Sequence, residues 1–127
     1  MKYLCMIFCE EKKLDALPPK EFQALVDQSL DYDDVLRKGG HLLANNALEP
    51  VREAVTIRPR GGKMMVTDGP FAETREQIGG FILIEAKDRE EAIRLASAIP
   101  NLHLGGVEVR PVRELSRSGS TVSHPGS

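Results

Sequence analysis

Two segments of the chain are apolar on both of their alternating faces, and this feature limits the fold more than any other. Almost every residue from 2 to 9 is apolar, and residues 78–86 contain the run Phe81-Ile82-Leu83-Ile84. Such a strand needs cover on both sides and is typical of the centre of a sheet. Because 127 residues make one domain by the usual size range, few residues remain to provide that cover.

Apolar residues with helical spacing predict two helices. The first follows Pro18-Pro19, which suit a first helical turn, and ends at Gly39-Gly40, which suit a helix C-terminus. The second begins at Asp88, which can form a capping box with Glu91, and ends before Pro100. The apolar stripes are Phe22, Leu25, Val26, Leu30 and Leu36 in the first helix, and Ala92, Leu95, Ala96 and Ile99 in the second.

A strand and a hairpin are predicted between the two helices. Residues 41–48 favour a strand with an irregularity at Asn45-Asn46. Residues 51–58 and 64–67 alternate on either side of Gly61-Gly62, which is typical of a β-hairpin.

The remaining segments complete the pattern. Residues 10–17 favour a polar loop, and residues 71–77 a short helical turn. The last strand covers residues 107–112, where Pro111 indicates an edge position. Residues 116–127 are rich in serine and glycine and predict a flexible tail, so the folded body spans residues 1–115.

The order strand, helix, strand, hairpin, strand, helix, strand predicts an α+β fold. Without the hairpin it is the ferredoxin-like βαββαβ arrangement, an antiparallel sheet with two helices on one face. The other face then needs cover, since both central strands are apolar on that side. A second copy of the chain is the simplest cover, which predicts a homodimer. The alternative is that the hairpin and residues 69–77 fold over this face within one chain.

Charge and hydropathy exclude two classes of partner. Seventeen Lys and Arg against nineteen Asp and Glu give a net charge of −2. Nucleic-acid-binding proteins carry a basic surplus, so we expect no nucleic-acid partner. No apolar run approaches the ~20 residues that span a bilayer, and no cleavage site follows the apolar start, so we expect no membrane partner.

The two cysteines predict neither a disulfide nor a metal site. Cys5 and Cys9 lie on one predicted strand, where ~3.3 Å per residue places their Cα atoms ~13 Å apart. A disulfide needs less than ~7 Å, so the two cannot pair, which fits a reducing cytoplasm. None of His41, His103 and His124 has the short spacing that zinc sites use. We expect no metal and no cofactor.

One motif, TDGPFAETREQIGGF at residues 67–81, stands out. Together with Met1-Lys2-Tyr3 at the start and GGVEVRPV at residues 105–112, it resembles the signature of YCII-related proteins of the DGPF type. The resemblance covers residues 1–115 and implies a ferredoxin-like fold that assembles as a dimeric α+β barrel. The wider superfamily includes small isomerases, lyases and monooxygenases with sites in a cleft beside the sheet. Some bacterial relatives are linked to extracytoplasmic-function sigma factors.

Asp68 is the candidate catalytic residue within this motif. Gly69 permits close approach of the backbone, Pro70 fixes a turn, and Phe71 can wall an apolar pocket. A carboxylate in such a pocket serves as a general acid or base near neutral pH, which suits proton transfer beside a carbonyl group. The alternative is that Asp68 caps the turn by accepting backbone amides, a common role for aspartate before Gly-Pro.

The other candidate site residues are two arginines. Arg58 and Arg110 are candidates for substrate binding, because the planar guanidinium suits carboxylate or phosphate recognition. Each can equally be an exposed residue on a strand. The histidine that YCII-type relatives offer to an aspartate has no counterpart in the first helix, and whether His41 or His103 pairs with Asp68 is open.

Two functions follow from these residues. The first is a small cofactor-independent lyase or isomerase that uses the Asp68 carboxylate on a small organic substrate. The second is a non-catalytic dimeric module that binds a ligand or a regulatory partner, with a link to sigma-factor systems implied by the resemblance.

Overall fold

A computed structural model describes residues 1–117 of the chain. The predicted tail at residues 116–127 lies outside the described residues except for Ser116 and Arg117. The described residues form a four-stranded antiparallel sheet and a separate two-stranded hairpin. The strands are β1 (Lys2–Glu10), β2 (Leu42–Ala47), β3 (Val55–Arg60), β4 (Lys63–Asp68), β5 (Glu76–Glu85) and β6 (Gly105–Pro111).

The sheet has the strand order β2-β5-β1-β6, which is consistent with the predicted ferredoxin-like fold. Strands β1 and β5 occupy the centre, as their two apolar faces predict. Strand β6 lies at an edge, as Pro111 predicts. The N–H of Val112 donates to the Lys2 carbonyl oxygen at 2.9 Å, so the preceding Pro111 faces the free edge, where its missing donor costs no ladder bond.

Within residues 1–117 three α-helices accompany the sheet: α1 (Glu11–Asp15), α2 (Pro19–Lys38) and α3 (Arg89–Ser97). Helices α2 and α3 confirm the two predicted helices. The Asp88 carboxylate caps α3 by accepting from the Glu91 N–H at 2.9 Å, and the Glu91 side chain accepts from the Lys87 N–H at 2.9 Å. The prediction of a loop at residues 10–17 is wrong, because residues 11–15 form α1. Five residues are too few to show the apolar periodicity by which a helix is predicted.

Two strand boundaries also differ from the sequence-based expectations. Residues 51–53, predicted to begin the hairpin strand, form a 3₁₀ turn instead, and β3 begins at Val55. The irregularity of β2 lies between Leu42 and Ala44 rather than at Asn45-Asn46. Strand alternation in the sequence continues through both places, so it gave no signal for the turn or for the shift.

The core lies between one face of the sheet and the helices α2 and α3. The Tyr32 hydroxyl of α2 donates to the Leu95 carbonyl oxygen of α3 and so connects the two helices. The predicted stripe of α2 is only partly buried, since Phe22 and Leu30 are 44% and 58% exposed. The buried cluster comprises Tyr3, Cys5, Ile7, Leu36, Ile82, Ile84, Ala86, Ala92, Leu95, Ala96 and Ile99.

The opposite face of the sheet is apolar on the central strands β1 and β5, and within residues 1–117 the hairpin does not pack closely against the sheet. We call it the open sheet face and define it by Leu4, Met6, Phe8, Phe81 and Leu83, which share one side of β1 and β5. These side chains are partly buried. None of the three helices within residues 1–117 has the length and apolarity needed to cross a membrane.

Candidate functional site

Asp68 is the last residue of β4 and lies opposite Val55 at the base of the hairpin. Its side chain is exposed. Within residues 1–117 no hydrogen bond or ion pair engages its carboxylate. The carboxylate therefore neither caps the turn nor lies in an apolar pocket of its own chain, and it is free to meet a ligand or a second protein surface.

The turn after Asp68 is held by the backbone of Gly69. Its φ of +111° lies in a region that side-chain-bearing residues rarely adopt, which explains a glycine here. The Gly69 N–H donates to the Ala54 carbonyl oxygen at 2.7 Å, and the Thr56 hydroxyl donates to the Gly69 carbonyl oxygen at 2.9 Å. The position of Asp68 is thus fixed by its neighbours and not by its own side chain.

Arg58 and Phe71, two of the predicted site residues, are in direct contact. The Arg58 guanidinium carbon lies 3.8 Å from the centroid of the Phe71 ring, and the same guanidinium donates to the Phe71 carbonyl oxygen at 3.1 Å. The Phe71 side chain is 69% exposed. Through these two contacts with Phe71, Arg58 holds the end of the turn against the hairpin.

The segment after Phe71 is irregular, so the predicted short helical turn at residues 71–77 is wrong. The Gln77 side-chain amide donates to the carbonyl oxygens of Ala72 and Thr74 at 2.8 and 3.2 Å, which holds the backbone in a bend. Neither Gln77 nor Thr56 stands out in the sequence as a residue that shapes the site. Thr56 carried one usable signal, since it shares a strand face with Arg58.

The hairpin has two chemically different faces. In antiparallel pairing, residues directly opposite each other point to the same side. Asp68 therefore lies on the same face of the hairpin as Val55, its pairing partner, whereas Arg58 lies on the opposite face. We call the first the apolar hairpin face; its members are Val55, Ile57, Pro59, Met64 and Val66. The second carries Thr56, Arg58, Arg60, Lys63, Met65 and Thr67.

Arg110 lies far from the hairpin. It pairs with Leu4 on the edge strand β6, whereas the hairpin leaves the sheet near the other end of β1, where Glu10 pairs with Glu76. At ~3.3 Å per residue, Leu4 and Glu10 are about 20 Å apart. The Arg110 guanidinium forms an ion pair with Glu108 on the same strand. Within one chain the structure does not bring Arg110 and Asp68 together.

Neither described histidine contacts Asp68. His41 Nδ1 lies 2.8 Å from the Glu85 carbonyl oxygen, at the end of the sheet opposite the hairpin. His103 is exposed in a 3₁₀ turn just before Gly105, which pairs with Cys9 at the hairpin end of the sheet. His124 lies outside the described residues.

The cysteines behave as core residues. Cys5 and Cys9 are both free and buried, and burial raises the pKa of the Cys5 thiol from 9.0 to about 11. The Cys9 pKa is also raised, mainly by burial and further by the nearby carboxylates of Glu11 and Asp15. Among residues 1–117 there is no group of three His, Cys, Asp or Glu that could hold a metal ion.

A cavity of about 310 Å³ lies on the helix side of the sheet, between α3 and β6. Its lining residues are Tyr3, Arg89, Ile93, Val109 and Pro111. None of the residues predicted for the site contributes to it, so this cavity is separate from the Asp68 turn.

Comparison with known proteins shows the family to which the sequence of this chain belongs. The model of the YCII-related domain matches residues 1–116. The chain is also similar to the uncharacterized protein R00369 of Rhizobium meliloti (strain 1021), with 34% identity over 117 residues that cover 88% of this chain and 92% of the relative. The chain therefore belongs to the YCII-related domain family.

Proposed function

We propose that the chain is a homodimeric α+β barrel with a small-molecule site at the Asp68–Phe71 turn, and that Asp68 transfers protons in a cofactor-independent lyase or isomerase. The observation that carries this proposal is the free carboxylate of Asp68 on the same hairpin face as Val55, Ile57 and Val66. Because this carboxylate is exposed and makes no hydrogen bond or ion pair among the described residues, it is available to a ligand that lies on the neighbouring apolar side chains.

The homodimer is supported by the open sheet face. A layer of apolar side chains on a central sheet is normally covered by a second layer. Among the described residues the hairpin does not pack closely against the sheet, and symmetric dimers are the commonest assemblies that supply a second layer. The free cysteines are compatible with the reducing cytoplasm that the sequence predicts.

The proposed chemistry follows from the surroundings that a dimer gives to Asp68. When a second apolar surface covers the hairpin face, water leaves the ionised Asp68 carboxylate, which makes it a stronger base. The carboxylate then takes a proton from a carbon beside a carbonyl. In an isomerase it returns this proton to another atom of the substrate, and in a lyase it delivers the proton to the leaving group.

The remaining site residues have supporting roles in this proposal. Gly69 and Pro70 shape the turn, and Phe71 offers an exposed aromatic surface to an apolar part of the substrate. Arg58 lies across Phe71, so its charge can attract a substrate carboxylate while it keeps the turn in place. Arg110 contributes only where the second subunit brings its edge strand close to the turn.

Deuterium exchange tests the proton transfer without knowledge of the full reaction. The purified protein is incubated in D₂O with small keto acids and cyclic ketones, and loss of the proton beside the carbonyl is followed by NMR. We expect exchange with at least one compound, lost in Asp68→Asn and kept in Glu73→Gln, a nearby exposed carboxylate. Exchange that survives in Asp68→Asn removes Asp68 from the mechanism.

The second candidate is a non-catalytic dimeric module that binds a ligand or a regulatory protein, including one of a sigma-factor system. The exposure of the Asp68 carboxylate and the Phe71 ring in the single chain favours it. In that case no compound shows exchange, and a partner recovered by affinity purification is lost when Phe71 is replaced by serine.

A further inference from the structure

The cavity between α3 and β6 has no part in the function proposed above. Its volume of about 310 Å³ lies at the lower end of the ~300–1,000 Å³ that small-molecule sites enclose. Arg89 and Ile93 are four residues apart and so share one side of α3. Val109 and Pro111 are two residues apart and so share one face of β6. Because Arg89 and Ile93 are also exposed, a ligand can enter the cavity from solvent.

Arg89 is the charged residue of the cavity lining. Among residues 1–117 no hydrogen bond or ion pair engages its guanidinium. Arg89 is also the first residue of α3, where the positive end of the helix dipole disfavours a cation and favours an anion. A bound anion would therefore be attracted both by the guanidinium and by the end of the helix.

The carboxylates near the cavity have other places or partners. Asp88 and Glu91 accept backbone N–H groups at the start of α3. Glu90 is exposed and does not line the cavity. Glu108 forms an ion pair with Arg110, and both alternate along β6 with the residues that line the cavity, so they lie on the opposite face of the sheet. Within the described chain the anion that suits Arg89 is missing.

Tyr3 contributes a second polar group to the lining. Its side chain is 1% exposed, and its hydroxyl donates to the Met1 sulfur at 3.5 Å. A thioether is a weak acceptor, whereas a buried tyrosine hydroxyl usually finds a strong one. In the part of the chain that the structure describes, no other group bonds to this hydroxyl. A carboxylate oxygen is the stronger acceptor that the Tyr3 hydroxyl lacks.

We propose that the cavity between α3 and β6 binds a small organic acid with a single carboxylate. The carboxylate pairs with the Arg89 guanidinium, whose planar fork matches two oxygens, and accepts from the Tyr3 hydroxyl. The apolar body of the acid contacts the other lining residues, which are Ile93, Val109 and Pro111. The lining offers one cation and is otherwise mainly apolar, so it favours one negative charge. This site is separate from the Asp68 turn and does not depend on the function proposed there.

A titration followed by amide NMR signals tests the site. The probe is phenylacetate, and phenylacetamide is its uncharged counterpart with the same apolar body. We expect phenylacetate to bind with a Kd below about 1 mM, which is within reach of a ligand of about ten non-hydrogen atoms. It should shift the amide signals of residues 89–93 and 107–110. Phenylacetamide should bind at least about tenfold more weakly, because it lacks the charge.

Substitutions separate the roles of charge, hydroxyl and volume. Arg89→Gln should weaken phenylacetate binding by about tenfold or more and leave phenylacetamide binding within about twofold. Tyr3→Phe, which keeps the ring, should weaken phenylacetate binding by about threefold or more. Ile93→Trp fills the cavity and should abolish binding of both compounds. The matched control is Arg94→Gln, which removes the same charge from the same helix outside the lining and should change both affinities by less than about twofold.

Four outcomes would overturn the proposal. The first is equal affinity of wild type and Arg89→Gln for phenylacetate, and the second is a loss in Arg94→Gln as large as that in Arg89→Gln. The third is a set of signal shifts confined to residues 67–74, which would place the acid at the Asp68 turn. The fourth is the absence of binding up to about 10 mM for phenylacetate, benzoate and hexanoate alike. Circular dichroism checks that each variant keeps the fold.

Discussion

The Arg58 guanidinium lies over the Phe71 ring, with its central carbon 3.8 Å from the ring centroid, and joins β3 of the hairpin to the end of the Asp-Gly-Pro-Phe turn. The same side chain donates to the Phe71 carbonyl oxygen. One arginine thus holds both the ring and the backbone of the residue that follows the candidate catalytic turn. The contact between Arg58 and Phe71 stabilises the conformation of the turn and does not involve the Asp68 carboxylate.

Removal of this arginine is expected to loosen the turn. An exposed cation–π contact is worth about 0.5–1 kcal/mol, so Arg58→Ala should speed amide hydrogen exchange at residues 69–74 by about two- to fivefold. Arg60→Ala is the control, because Arg60 lies on the same hairpin face further from the turn. Equal exchange rates in wild type and Arg58→Ala contradict the role assigned to the contact.

A second prediction concerns Asp68 and stability. Because its exposed carboxylate accepts no hydrogen bond among the described residues, Asp68→Asn should change the free energy of unfolding by less than about 0.5 kcal/mol. Thr56→Val should cost about 0.5–1.5 kcal/mol, because it removes the hydroxyl that donates to the Gly69 carbonyl oxygen. Urea unfolding measures both, and a larger loss in Asp68→Asn than in Thr56→Val restores the turn-capping interpretation.

The elements of this fold with long apolar patterns could be predicted from the sequence. The apolar runs predicted the central positions of β1 and β5, and helical spacing predicted α2 and α3. Pro111 predicted the edge. Short elements without a full apolar period could not be found, which is why α1 and the 3₁₀ turn at residues 51–53 were missed.

The site was less accessible to sequence reasoning, because its arrangement depends on strand pairing. The motif marked Asp68, Gly69 and Phe71 as neighbours along the chain. Only the hairpin register places Asp68 and Arg58 on opposite faces, and only the sheet order separates Arg110 from both. A motif reports which residues are close in sequence, but not which side of a strand each one occupies.

A third prediction tests the open sheet face. Met6→Glu places a charge at its centre and should convert a dimer to a monomer, because an unpaired carboxylate buried between two apolar layers is costly. Ile93→Glu is the control, since Ile93 is a 45% exposed apolar residue on α3, on the other side of the sheet. Sedimentation velocity measures both variants, and a Met6→Glu dimer as stable as wild type argues against this face as the interface.

A fourth prediction compares two adjacent glycines at the start of β6. A Cβ on Gly105 would lie 2.1 Å from the Phe8 carbonyl oxygen, whereas a Cβ on Gly106 would meet nothing within 4 Å. The backbone oxygen cannot move without disturbing the pairing of β1 with β6, so Gly105→Ala should cost about 2 kcal/mol or more. Gly106→Ala should stay within about 0.5 kcal/mol of wild type. Equal unfolding midpoints for the two variants would contradict the close approach of the strands.

The last prediction concerns stability in alkali. Burial raises the pKa of the Cys5 thiol from 9.0 to about 11, so the folded state keeps this proton over a range in which the unfolded chain loses it. The contribution of the protonated Cys5 thiol to the free energy of unfolding is therefore fully present below pH 9 and is lost as the pH rises through 11. The loss amounts to about 2–3 kcal/mol in total. Urea unfolding of wild type and Cys5→Ala at pH 8 and pH 11 measures it. The Cys5→Ala protein should start less stable, because it loses buried sulfur, but its stability should fall less between the two pH values. Parallel losses in the two proteins would show that the Cys5 thiol ionises as readily in the folded chain as in the unfolded one.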